Sequence, residues 1–279
     1  MLNSIQKGVK YFFTRADYIV INMQRKEIRD FILNGHKHYV PHVCIDCAIF
    51  GYHQQQLKIL LLKNKAIDGF CLPGGYIKRT ETLAAAAARI VKERTGIENL
   101  FLQQFKTFGD PGRNRIKEFD AAELAEITGV EIRKDSWFLD HTISIGFYAI
   151  TDFSKAIPQP DFMSDNCSWF DVTGIPSLVF DHNEMLAEAL HVLRVQLYHY
   201  PIGYNLLPQK FTLNEIHALY ETILGRKLDI SNFPKKLISL GVIRKLKEKR
   251  KIGAHRAPHL YKFDKAVYIR SLKNGIVLS

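Results

Sequence analysis

"GGYIKRTETLAAAAARIVKERTGI" occupies residues 74–97, and its reading decides the rest of the chain. The alanine run favours helix, and Gly96 suits a left-handed stop, so the pattern predicts a helix over 82–96. Within it Ile90, Glu93 and Arg94 stand at i, i+3 and i+4, the spacing of one helical face.

Working outward, apolar strand-like runs precede this helix at "HVCIDCAIFGY" (42–52) and "LKILLLK" (57–63). Further strands are predicted at "NLFLQQFKTFG" (99–109), the alternating "HTISIGFYAIT" (141–151) and "CSWFDV" (167–172). "DPGRNR" (110–115) reads as a turn, and residues 116–140 hold a predicted short helix, "DAAELAEITG". "DHNEMLAEALHVLRVQLYHY" (181–200) has helical apolar spacing and stops at Pro201. Residues 1–40 show no clear period and read as an N-terminal extension, with Met23 an alternative start. No apolar run approaches the ~18–20 residues a bilayer crossing needs. Arg15 and Asp17 break the apolar N-terminal stretch and no small-residue cleavage site follows, so a cytoplasmic protein without a membrane partner is expected.

Of the four cysteines, Cys44 and Cys47 form a CxxC. On a strand, that spacing points them to opposite faces, which suits neither a disulfide nor joint metal ligation. Reduced core cysteines are expected, and neither a metal site nor a cofactor.

Charge divides the chain. The net charge is +11, and residues 201–279 carry 16 Lys+Arg against 5 Asp+Glu, while residues 1–200 balance. A neutral body with a basic C-terminal unit points to a polyanionic partner. Thr212 and Glu215 make a capping box for a helix with an apolar stripe at Leu213, Ile216, Leu219, Tyr220, Ile223 and Leu224, ended by Gly225. Pro234 belongs in the first turn of a second helix, capped at Ser231 or later and ended by Gly241. Phe233, Leu237 and Leu240 form its expected core side, leaving Asn232, Lys235, Lys236 and Ser239 on its surface. "VIRKLKEKRKIGAHRAPHLYKF" (242–263) then reads as strand, basic loop and strand, so the unit is a predicted winged helix-turn-helix. Its candidate DNA contacts are Asn232, Lys235, Lys236, Arg244, Lys245, Lys249, Arg250, Lys251, His255 and Arg256, with Arg256 suited to a minor groove.

The 74–97 stretch resembles the Nudix box, with its frame at Gly75, Glu81, Arg89, Ile90, Glu93, Arg94 and Gly96. The resemblance implies an α/β Nudix-like mixed-sheet sandwich followed by a small α+β winged helix-turn-helix domain. In active Nudix hydrolases the helix presents carboxylates to divalent metals; here Ile90 and Arg94 occupy two of those positions. A dication ~4 Å from the Arg94 charge would be repelled by at most roughly 8 kcal/mol at an effective dielectric near 20. The box therefore reads as degenerate, with no catalytic residue and a Glu81–Arg89 salt bridge bracing the turn; an alternative pairs Arg94 with Glu98.

Together with "FDHNEML" (180–186), "PIGYNLLPQKFTLNEIHALYE" (201–221), "NFPKKL" (232–237) and "HLYKF" (259–263), these features resemble the Nudix-related, NrtR-like transcriptional regulators. That resemblance implies a homodimeric, effector-controlled repressor on palindromic operator DNA, with a sugar or an ADP-ribose-like effector. It divides the chain into an extension (1–40), a Nudix-like sensor including the 181–200 helix (41–200) and a DNA-binding domain (201–279). Arg113, Arg115, His141 and Trp169 are candidate effector contacts. The competing readings are a Nudix diphosphatase acting on a nucleotide-sugar such as ADP-ribose, and a non-enzymatic RNA-binding adaptor.

Overall fold

A computed structural model describes residues 15–65, 67–98, 100–113, 125, 130, 131, 133, 136–161, 163–229, 232–250 and 257–275. The helix expected at "DAAELAEITG" lies outside the described residues except for Ala125, as do Arg115, Lys251, His255 and Arg256.

The first element is α1 (Arg15–His38), where the sequence shows no clear period. Among its described side chains, from Lys26 onward, Ile28 and Ile32 are buried and Phe31 packs beside them. Charged residues fill the positions between.

A seven-stranded mixed sheet follows. Its strands are β1 (Tyr39–His53), β2 (Gln56–Asn64), β3 (Phe70–Cys71), β4 (Gly74–Lys78), β5 (Leu102–Phe108), β6 (Ile143–Thr151) and β7 (Ser164–Asp171). The path runs β3-β2-β1-β6-β5, with β4 paired to β1 and β7 to β2. β1 and β6 are parallel from Val43↔Ile143 to Gly51↔Thr151; the other pairs are antiparallel. The central strands are apolar on both faces because both faces are covered.

α2 (Leu83–Thr95) covers one face. Thr82 accepts from the Ala85 amide at its start, and Gly96 closes it at φ 70°. Ala86, Ala87, Ile90 and Val91 pack on Ile45, Cys47, Ile49 and Leu60. α3 (His182–Gln196) covers the other face through Met185, Leu186, Ala189 and Leu193.

The C-terminal unit consists of α4 (Leu213–Leu224), α5 (Asn232–Ser239), the hairpin β8 (Ile243–Lys249) and β9 (His259–Phe263), and α6 (Lys265–Asn274). The Thr212–Glu215 capping box is formed in both directions, and Gly225 ends α4 at φ 67°. Pro234 falls in the first turn of α5, Leu237 is fully buried and Phe233 partly so. Leu240, expected in the core, is 38% exposed, because it lies past the end of α5.

One apolar core joins both units. It runs from Phe50, Leu61 and Tyr148 through α3 to Ile216, Tyr220 and Ile223 of α4 and on to Tyr261. No described helix is long and apolar enough to cross a membrane.

Candidate functional site

The 74–97 frame is built as a brace. Arg89 donates to both oxygens of Glu81, at 2.7 and 3.1 Å, and to the Tyr76 carbonyl at 3.0 Å. That bond to Arg89 holds the Glu81 carboxyl below its ordinary range. Glu93 is exposed and reaches the same guanidinium at 3.4 Å. Ile90 is 1% exposed, in the core beneath Gly75. Arg94 is buried and bonds Asp161 at 3.3 Å, so its pairing with Glu98 is not made; Lys92 pairs with Glu98 instead.

A divalent metal does not fit this arrangement. Hard cations need several convergent oxygens. Here the carboxylates of Glu81 and Glu93 are bound to Arg89, Ile90 offers none, and Arg94 brings a positive charge. Among the described residues no group of three or more His, Cys, Asp or Glu is arranged to hold a metal ion.

On the neighbouring surface lies a cavity of about 870 Å³. β1 supplies Cys44 and Asp46, and β4 supplies Gly75 and Tyr76. The turn at 111–113 and the segment 138–142 form another wall, and His182 opens α3. Its volume is that of a small-molecule site.

Asp46 is the cavity's buried carboxylate. It accepts a 2.5 Å hydrogen bond from the Ser144 hydroxyl, and Arg113 and His182 stand 3.8 and 3.7 Å away. Gly74 is required beside it: a β-carbon there would collide with Asp46 Oδ1 and lie 2.9 Å from the Ile45 carbonyl oxygen. His182 Nδ1 accepts the Leu72 amide at 2.9 Å, which places its proton on Nε2. Burial lowers its pKa and outweighs the nearby carboxylates, so the ring stays neutral. Burial also raises the Cys44 thiol well above its ordinary value, with Asp46 adding to the effect, which makes it a poor nucleophile. All four cysteines are free.

An aromatic cluster stands at the cavity wall. Tyr76 and Phe138 line the cavity, and Phe31 of α1 packs on both at 5.7 and 5.8 Å between ring centroids. Trp137 donates its indole N–H to the Ile32 carbonyl at 2.9 Å, fixing α1 against this wall.

Of the candidate effector contacts, Arg113 and His141 line the cavity. Trp169 does not. Strand alternation on β7 sends it to the α2 side, where it packs against Phe153 and the α2-side core. The cavity is also lined by Asp46, Asp161 and His182, none of them among the sequence candidates, and Asp181 holds Arg113 from behind it. The signal for Asp46 was a lone acid inside the apolar run "HVCIDCAIF", and "FDHNEML" carried Asp181 and His182.

In the C-terminal unit Asn232, Lys235, Arg244, Lys245 and Lys249 are exposed, and Lys236 is half-buried. Asn232 also bonds Asp229, which caps the start of α5 through the Asn232 amide at 2.8 Å. Arg250, a candidate DNA contact, is half-buried and bonded within the fold. It donates to Glu215 of the capping box at 2.8 Å and to the Lys210 carbonyl at 3.0 Å.

A mixed-sheet sandwich with a small-molecule cavity, joined to a winged helix, is a sensor-and-effector architecture. The chain belongs to the NUDIX domain family, whose model matches residues 40–189, and residues 203–263 match the model of the NrtR DNA-binding winged helix domain. It is 28% identical over 230 residues to the ADPR responsive transcriptional repressor NtrR of Acinetobacter baylyi, covering 80% of this chain and 82% of that one. It is 27% identical over 144 residues to the ADP-ribose pyrophosphatase of Methanocaldococcus jannaschii, covering 50% of this chain and 70% of that one. Shewanella oneidensis NrtR, solved complexed with a 27mer DNA, superposes with a TM-score of 0.62 at 22% identity, over 81% of this chain and 95% of that chain. A MutT/nudix family protein from Enterococcus faecalis gives 0.59 at 20%, over 91% and 100%. These two likenesses speak to the fold.

Proposed function

We propose that the chain is a ligand-responsive, DNA-binding transcriptional repressor whose Nudix domain senses a small molecule and performs no hydrolysis. The observation that carries this reading is the placement of a small-molecule cavity and an NrtR-type winged helix on one continuous apolar core. The metal-ligand positions support the non-catalytic half: Ile90 belongs to the core and Arg94 to Asp161. By this reading Asn232, Lys235 and Lys236 enter the major groove of a palindromic operator, and Arg244, Lys245 and Lys249 of the wing contact phosphates. The repressor acts in the cytoplasm as a homodimer.

Two effector classes compete. ADP-ribose is favoured by the name of the Acinetobacter relative. An uncharged sugar is favoured by the cavity itself, because three carboxylates, Asp46, Asp140 and Asp161, are among the described residues that line it. A diphosphate would meet those carboxylates, whereas hydroxyls donate to them.

Selecting duplexes from random DNA with the full-length protein tests the regulator. A palindromic sequence is expected to enrich, with half-sites about one helical turn apart. Thermal-shift assays with ADP-ribose and free pentoses then identify the effector class. Failure to enrich any duplex, or Mg²⁺-dependent hydrolysis of ADP-ribose that Glu93→Gln abolishes, overturns the reading.

A further inference from the structure

Asp181 stands at the N-cap position of α3, yet its side chain makes no capping hydrogen bond. An aspartate there ordinarily accepts from the first free amides of its helix and stabilises it. Here both carboxylate oxygens are taken by Arg113, through Nε and Nη2 at 2.8 Å each. The Arg113 side chain is only 4% exposed, but it lies on the cavity wall, and Nη1 holds the Thr142 carbonyl at 3.3 Å. Asp181 therefore has two alternative partners, the cavity's arginine and its own helix.

The far end of α3 meets the DNA-binding unit. Arg194 donates through Nε to the Ile223 carbonyl, in the last turn of α4, at 3.1 Å. Its guanidinium also crowds Gly225, where a β-carbon would sit 2.9 Å from Nη2. Gly225 begins the turn that leads to α5. Between these two contacts α3 is one unbroken helix buried along Met185, Ala189 and Leu193. Thirteen residues span about 20 Å of helix.

We propose that the Arg113–Asp181 pair is a latch and that α3, gripping α4 through Arg194, transmits its state to the DNA-binding helices. A ligand offering an acceptor to Arg113 displaces Asp181, which then turns to cap α3. The shift in the first turn is carried along a rigid, buried helix to the Ile223 carbonyl and the α4–α5 turn. A two-state element that both sites bias is what coupling requires. This inference rests on the regulator reading above.

A double-mutant cycle on the selected duplex, measured without any effector, tests it. Asp181→Asn keeps the capping ability and removes the charge that holds Arg113, so it mimics the released latch. It is expected to weaken DNA binding at least fivefold with the thermal transition retained. In an Arg194→Met background the same change is expected to alter affinity less than twofold. Sites this far apart are ordinarily additive. Glu188→Gln, on α3 between them, is the control and should combine additively with Arg194→Met. If Asp181→Asn does not fold, Arg113→Lys, which frees one oxygen of Asp181, takes its place in the cycle. Additive latch and Arg194 effects, or a latch variant that binds the duplex like wild type, overturn the relay and leave the regulator reading standing. A wild type that enriches no duplex defeats the regulator reading itself.

Discussion

Arg94 and Asp161 meet at 3.3 Å, both largely buried, with Asp161 on the cavity wall. Asp161 also accepts from the Met163 amide at 2.9 Å and the Ser164 hydroxyl at 2.7 Å. At a position where a Nudix hydrolase keeps a metal-binding carboxylate, this chain holds down its own cavity wall. Arg94→Glu, which restores the hydrolase residue, would set two carboxylates together in a poorly solvated place. Losing one partner of such a pair costs about 3–5 kcal/mol. Denaturant unfolding should show a loss of that order, and added Mg²⁺ should not recover it. Recovery with Mg²⁺ would mean a cation site can still assemble there.

Gly74 is predicted to accept no side chain. Alanine there would push its methyl into Asp46 Oδ1 and the Ile45 carbonyl, on strands that pair through Asp46↔Gly74. Overpacking of this kind costs about 1–3 kcal/mol. Gly74→Ala should unfold at lower denaturant and lose its ligand-induced thermal shift, whereas Gly174→Ala, with open space around it, should do neither.

Acid should destabilise the protein through His182. The folded state holds the ring neutral, so its pKa lies below the ordinary 6.5. As pH falls below 6.5 the unfolded chain takes up a proton that the native chain refuses. That lowers stability by up to about 1.4 kcal/mol per pH unit until the folded ring also protonates. His182→Asn, whose Oδ1 can accept from the Leu72 amide, should flatten this part of the profile between pH 7 and 5.5. An unchanged slope would place the titrating group elsewhere.

Lysine and arginine substitutions in the winged helix should separate by their salt dependence. Lys249→Ala, which removes an exposed wing lysine assigned to phosphate, should weaken DNA binding and reduce the slope of log affinity against log salt by about one. Arg250→Ala should leave that slope unchanged, since its guanidinium is committed to Glu215 and the Lys210 carbonyl. Its effect should appear as a loss of thermal stability of a few tenths of a kcal/mol to about 1 kcal/mol, as for a half-exposed ion pair. A slope that falls by one for Arg250→Ala would return it to the interface.

What the sequence revealed was mostly local. The α2 frame, the Thr212–Glu215 box and the glycines at 96 and 225 announce themselves through spacings of a few residues, and the Glu81–Arg89 brace spans only eight. The site was harder because its partners are far apart. Arg113 and Asp181 are separated by 68 residues, and Arg94 and Asp161 by 67. Which acid an arginine meets depends on how turns and loops land after the sheet closes, and no periodicity encodes that. Trp169 lies away from the cavity lining for a related reason: a short strand read alone does not say which of its faces meets the cavity. Around Ile28, Phe31 and Ile32, the buried and packed residues in the described part of α1, the sequence places charges at Lys26, Glu27, Arg29 and Asp30, which blurs the apolar spacing.

The apolar core shared by the sensor and the winged helix sets a limit on modularity. Cutting the chain after α3 would divide this core, which holds Leu193 and Leu197 on one side of the cut and Ile216, Tyr220 and Ile223 on the other. A chimera that borrowed this DNA-reading head would have to borrow α3 and the sheet face beneath it, so changes in the sensor's interior are inherited by the head as changes in its own packing.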